Sequence, residues 1–141
     1  MSVSFIDLRR FEPGFLDRWA AKCCEITEQT QFVGGPEVAA LERSLAAETG
    51  AHEVVACANG TDALQLALRA AGVGAGDLVL LPDATFWATF EAVVNCGARP
   101  MTVDVDEADL QMDFDLFCRA VDEHRANLVV APTQLDIPSW R

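Results

Sequence analysis

From residue 54 onward, short apolar runs alternate with longer stretches in which apolar residues return every three or four positions. The runs at 54–58, 78–81, 101–105 and 128–131 read as strands. All but the third are apolar with almost no alternation, the pattern of parallel strands covered by helices on both faces. Helical faces lie between them: Leu64, Ala67, Leu68 and Ala71 closed by Gly72; Phe86, Phe90, Val93 and Val94 closed by Gly97; and Phe114, Phe117 and Val121. Two further helices precede the first run. Leu16, Trp19, Cys23 and Ile26 form one apolar stripe, while Pro36 and Gly50 mark the start and stop of a helix carrying Val38, Leu41 and Leu45. Two helices followed by β-α-β-α-β-α-β predict an α/β layer fold. The fourth run ends at Pro132 with no helical pattern before Arg141, so the sheet reads as cut off at its last strand.

The 141 residues suit one domain, and 51% hydrophobic against 23% charged residues is globular composition, not disorder. The net charge of -12 argues against nucleic acid or anionic lipid as a partner, since affinity for either rests on Lys and Arg neutralising phosphate. No apolar run nears the ~18 residues of a membrane helix, so no span is expected. Residues 1–8 carry no basic head ahead of an apolar stretch, so no secretory signal is expected either. The cysteines (Cys23, Cys24, Cys57, Cys96, Cys118) are odd in number and contain no Cys-x-x-Cys, which reads as free thiols in a reducing cytoplasm. His52 and His124 stand far apart, and no metal site is expected.

In an open parallel sheet, ligands bind beyond the carboxyl ends of the strands. After the first run comes Asn59-Gly60-Thr61-Asp62-Ala63-Leu64, a tight turn into a helix whose free N–H groups and dipole suit a phosphate. Asn59 or Thr61 could equally serve only as a helix cap, and Asp62 only as a first-turn acid. After the second run comes Pro82-Asp83-Ala84-Thr85-Phe86-Trp87-Ala88-Thr89, where adjacent aromatics begin a helix. Their directions differ by about 100°, so one can face the core and the other the crevice, where an aromatic can stack on a planar ring.

Taken together, the stretch from Gly60-Thr61-Asp62-Ala63-Leu64 to Gly72-Val73-Gly74-Ala75-Gly76-Asp77, the Pro82 to Thr89 segment and Gly97-Ala98-Arg99-Pro100-Met101-Thr102-Val103-Asp104-Val105-Asp106 resemble the PLP-dependent nucleotide-sugar aminotransferases of the DegT/DnrJ/StrS type. Phe32-Val33-Gly34-Gly35-Pro36-Glu37-Val38 is similar to the family's loop before its second helix, and the match runs in order over residues 5–132. The resemblance implies an α/β protein, a truncated PLP-transferase fold type I large domain with a mostly parallel sheet flanked by helices. Residues 1–141 would be a single N-terminal part of that domain, with a divergent tail at 133–141. Pyridoxal 5'-phosphate would sit on the sheet near a homodimer interface. Gly60, Thr61 and Asp62 would meet its phosphate largely through backbone N–H groups, and Phe86 would lie on the pyridine face with Trp87 packed inward. The family reaction moves an amino group, usually from glutamate, to a keto carbon of a nucleotide-linked sugar.

The same resemblance exposes what the sequence does not supply. The family's Schiff-base lysine has no counterpart: the one lysine, Lys22, lies on the first helix and reads as a solvated residue. The carboxylate that pairs with the pyridine nitrogen would follow a later strand. The family's His after the proline of the fourth strand is replaced by Gln134, and Asp136 has no positional match. The chain is therefore expected to be inactive alone. The alternatives are a noncatalytic truncated paralogue acting as a binding or dimerisation partner, and a small nucleotide-binding module. The latter is weaker because the Gly60 turn contains neither Gly-x-Gly-x-x-Gly nor Gly-x-x-x-x-Gly-Lys. Asp104, Asp106, Glu107 and Asp109 read as turn and cap residues.

Overall fold

Proline at a helix start and glycine past its end fix local structure most directly, and both signals operate here. The computed structural model describes residues 9–124 and the backbone of 128–130. It divides into two compact units, Met1–Ala56 and Cys57–Arg141.

The first unit holds α1 (Phe15–Gln29) and α2 (Pro36–Thr49). Pro36 opens α2, where its missing N–H costs no hydrogen bond, and Gly50 closes it in the left-handed region at φ 73°, donating to the Ala46 carbonyl at 3.0 Å. Lys22 of α1 reaches Glu25 at 2.8 Å and Glu37 of α2 at 3.1 Å. Of the apolar stripe of α1, Leu16 and Trp19 are exposed, at 62% and 60%, while Cys23 and Ile26 are half-buried.

The second unit runs α3 (Gly60–Ala70), β1 (Leu78–Pro82), α4 (Trp87–Asn95), β2 (Arg99–Val103), α5 (Phe114–His124) and β3 (Leu128–Val130). The sheet order is β2-β1-β3, all parallel, with Leu78 opposite Arg99 on one side and Leu128 on the other. Because β1 is the middle strand its residues are all buried, as its uninterrupted apolar sequence predicts. Leu68, Val73, Val79, Leu81, Ala92, Val93 and Ala98 form one cluster with β1 at its centre. Gly97, at φ 82°, turns the chain from α4 into β2, and the Arg99 N–H then donates to the Asp77 carbonyl at 2.9 Å.

The structure departs from the sequence expectations at several points. Residues 54–58 are not a strand. Both edges of β1 are taken by β2 and β3, and the one hydrogen bond from this run's backbone to another segment among the described residues goes from the Ala56 N–H to the Glu42 carboxylate at 2.9 Å. The third strand begins and ends two residues earlier than expected, since Val105 leaves the parallel ladder for an antiparallel bridge with Met112. The buried face of α4 is Ala88, Thr89, Ala92 and Val93; Phe86 and Val94 are exposed. Small side chains there let the helix lie close on the sheet. The expected tail at 133–141, with Gln134 and Asp136, lies outside the described residues. Among the described residues no helix is long and apolar enough to cross a membrane.

Candidate functional site

The loop before α3 is shaped by Asn59. In extended conformation, its side-chain oxygen accepts the Asp62 N–H at 2.9 Å, its amide donates to the Asp62 carboxylate at 3.1 Å, and its carbonyl accepts the Ala63 N–H at 3.1 Å. The cap therefore uses the third donor of the turn. The N–H groups of Gly60 and Thr61 have no acceptor among the described residues and point their dipole outward from the helix start. A Cβ built at Gly60 meets no atom within 4 Å, and the backbone there has no positive φ. Glycine at this position is thus explained by the space it leaves, not by a turn that requires it.

Phe86 lies directly before α4, with φ -71° and ψ 143°, and is 73% exposed. Asn59, Gly60, Thr61 and Phe86 line one open cavity of about 790 Å³, with Ala63, Leu64, Ala88 and Thr89 completing its walls. Amide donors at one end and an aromatic ring beside an apolar wall have the chemistry that suits an anionic group carried on a flat ring. A second hollow, of about 160 Å³, adjoins the same phenylalanine and is lined by Pro82, Asp83, Thr85, Trp87 and Phe90. Phe86 borders both hollows.

Of the residues the sequence singles out, Gly60, Thr61 and Phe86 are brought together. Asp62 does not line the cavity, and both its N–H and its carboxylate are engaged by Asn59. Trp87 does not pack inward: it is 65% exposed and stacks on Phe90 at 5.0 Å between ring centroids. The adjacent Ala88 and Thr89 take the buried face, which turns Trp87 away from it. Thr89 is the residue that sequence reasoning misses. It is 5% exposed, bonded through its hydroxyl to Thr85 at 2.9 Å, and its signal was a pair of threonines four positions apart in an otherwise apolar helix start.

Four aspartates after β2 are engaged locally. Asp104, Asp106, Asp109 and Asp113 accept backbone N–H groups of Val105, Ala108, Gln111 and Leu116, as turn and cap residues do. Hydrogen bonds donated to Glu25, then to Glu37, hold the Lys22 ammonium above its ordinary pKa of 10.5.

The profile of the DegT/DnrJ/EryC1/StrS aminotransferase family matches residues 17–134. A UDP-2-acetamido-2-deoxy-3-oxo-D-glucuronate aminotransferase of Pseudomonas aeruginosa is 40% identical over 119 residues, covering 84% of this chain and 33% of its own length. A UDP-N-acetyl-3-dehydro-alpha-D-glucosamine 3-aminotransferase of Acidithiobacillus ferrooxidans is 42% identical over 106 residues, 75% of this chain and 29% of its own. Among solved structures, a family member from Brucella abortus superposes with a TM-score of 0.79 at 35% identity, over 92% of this chain and 36% of that one. A sugar aminotransferase from Streptococcus pneumoniae, solved in its PLP form, superposes with a TM-score of 0.68 at 31% identity, over 79% and 29%. The chain spans about a third of the length of the curated relatives it matches.

Proposed function

The chain belongs to the DegT/DnrJ/EryC1/StrS aminotransferase family, whose solved members share the α/β PLP fold type I, and from that premise we propose that it carries the coenzyme cradle of a nucleotide-sugar aminotransferase. The observation that supports this most is the meeting of Gly60, Thr61 and Phe86, from two separate loops, around one cavity.

The residues present fit pyridoxal phosphate. The open space over Gly60 admits a phosphate to the Gly60 and Thr61 N–H groups, and the Thr61 hydroxyl adds a donor. Asp62, by holding the Asn59 amide, keeps those donors aimed outward. Phe86, which lines the cavity, would cover one face of the ring and exclude water there, worth about 0.5–1.5 kcal/mol beyond area burial. When bound, the coenzyme supplies the electron sink that amino transfer needs.

The acceptor in this reading is a keto carbon of a nucleotide-linked sugar and the donor is glutamate; the names of the Pseudomonas and Acidithiobacillus relatives support the acceptor class. The full fold would act in the cytoplasm as a homodimer. The covalent lysine and the pyridine-nitrogen carboxylate belong, in this reading, to the part of the fold that the 141 residues do not cover, so the chain binds coenzyme without turning it over. Titration with pyridoxal phosphate, followed by tryptophan fluorescence, tests this. Gly60→Val and Phe86→Leu should each weaken binding about tenfold, a loss of ~1.4 kcal/mol, and borohydride should fix no coenzyme on Lys22. Affinity unchanged in both variants, or a reduced adduct on Lys22, would overturn the assignment.

A further inference from the structure

Helix N-termini are usually capped by Ser, Thr, Asp or Asn, whose side chain accepts an N–H of the first turn. At α4 the capping position is Phe86, which has no such group. The first turn is closed instead by Thr85, one position before Phe86, and Thr89, three positions after it. The Thr89 N–H donates to the Phe86 carbonyl at 3.0 Å, and the Thr89 hydroxyl pairs with that of Thr85 at 2.9 Å. Thr89 is the buried polar residue among the described residues, and no buried side-chain polar atom among them lacks a partner. A hydroxyl buried on the otherwise apolar face of α4 costs free energy unless bonded, so its presence there calls for a reason that alanine or valine would not meet.

The hydroxyl pair supplies one. It closes the segment from Thr85 to Thr89 around Phe86, fixing the backbone on both sides of the ring while leaving the side chain at the capping position free to be aromatic. Hollows adjoin Phe86 in both cavities, so packing alone leaves the ring room to turn. We propose that Thr85 and Thr89 are positioning residues: their hydroxyl–hydroxyl bond holds the Phe86 ring over the larger cavity. As a statement about coenzyme binding it rests on the function proposed above; as a statement about where the ring stands it does not.

The test separates the two. The chain is made with 4-fluorophenylalanine, and the Phe86 resonance among the eight phenylalanines is identified by its loss in Phe86→Leu. Thr89→Val and Thr85→Val keep shape and remove the hydroxyl bond; Thr89→Ser keeps it. Both valine variants should move the Phe86 fluorine resonance toward its unfolded position while the other seven stay in place, and Thr89→Ser should restore it. Pyridoxal phosphate affinity should fall about fivefold in the valine variants, ~1 kcal/mol. A Phe86 resonance unmoved in a folded Thr85→Val chain overturns the proposal, as does movement of all eight resonances together in that variant. Should Thr89→Val fail to fold, the half-buried Thr85 still decides. If the fluorine signal moves as expected while the unaltered chain binds no pyridoxal phosphate, the positioning role stands and the coenzyme assignment falls.

Discussion

The Arg69 guanidinium donates to the backbone carbonyl of Asn95 at 2.7 Å, fastening the last turn of α3 to the last turn of α4. The Cys96 thiol adds a contact to the Gln65 carbonyl at 3.6 Å. With their C-terminal ends joined and their N-terminal ends bordering one cavity, the two helices run side by side in the same direction. The distance across the cavity is thereby set from the far end of the pair. Arg69→Met keeps the aliphatic stem and removes the donor. It should cost about 1 kcal/mol in urea denaturation and weaken pyridoxal phosphate binding without touching any lining residue.

Asn59 combines a cap with the shape of the Gly60 turn. Asn59→Ala removes both side-chain bonds to Asp62 and should lower stability by about 1 kcal/mol. Because the Asp62 N–H then competes for any phosphate, inorganic phosphate should bind with altered affinity, readable by calorimetry alongside the denaturation curve.

Gly97 and Gly74 provide a matched contrast. Gly97 sits at φ 82° with an added Cβ meeting Ala75 at 3.7 Å, whereas Gly74 has no positive φ and open space around it. Gly97→Ala should lose roughly 1–2 kcal/mol to left-handed backbone strain, and Gly74→Ala should stay within about 0.5 kcal/mol of the parent. Equal losses in the two variants would contradict the conformation assigned to the α4–β2 turn.

Lys22 gives the pH dependence its sign. Its pKa in the folded chain is raised by hydrogen bonds to Glu25 and then Glu37. The stabilisation is therefore complete below the ordinary 10.5 and fades as pH climbs through the raised value. Because the pair is exposed, the effect is small and screened by salt. Thermal melts of the parent should lose a little stability above that pH at low ionic strength, and Lys22→Met should not show that loss.

The features legible in the sequence were those decided within a few residues. Pro36 and Gly50 bound α2 because a missing N–H and a left-handed φ are properties of single residues. The unbroken apolar run of β1 announced a strand covered on both faces. The Gly60 turn and Phe86 were legible as candidates because strand ends and helix starts carry their own chemistry. What failed depended on distant partners. Residues 54–58 have the composition of a strand, yet a strand exists only with a neighbour, and β1 had none to spare. Trp87 and Phe86 could be exchanged in a sequence reading, since only the packing of Ala88 and Ala92 on the sheet decides how α4 is rotated. The engagement of Asp62 by Asn59 was one of two readings the sequence left open, a cap and a ligand site being written with the same residues.

The run at 54–58 has a further consequence. Its valines are those of a protected interior, yet Val55 is 78% exposed, and the seam between Met1–Ala56 and Cys57–Arg141 falls inside it. Amides without a ladder take up deuterium quickly, so this stretch, apart from the Ala56 N–H held by Glu42, should label within the dead time while Val79 to Leu81 remain protonated. Accessible backbone outside regular structure is also what a protease active site grips. Brief digestion should therefore nick the chain here long before β1 is touched, leaving the piece that contains Gly60 and Phe86 intact.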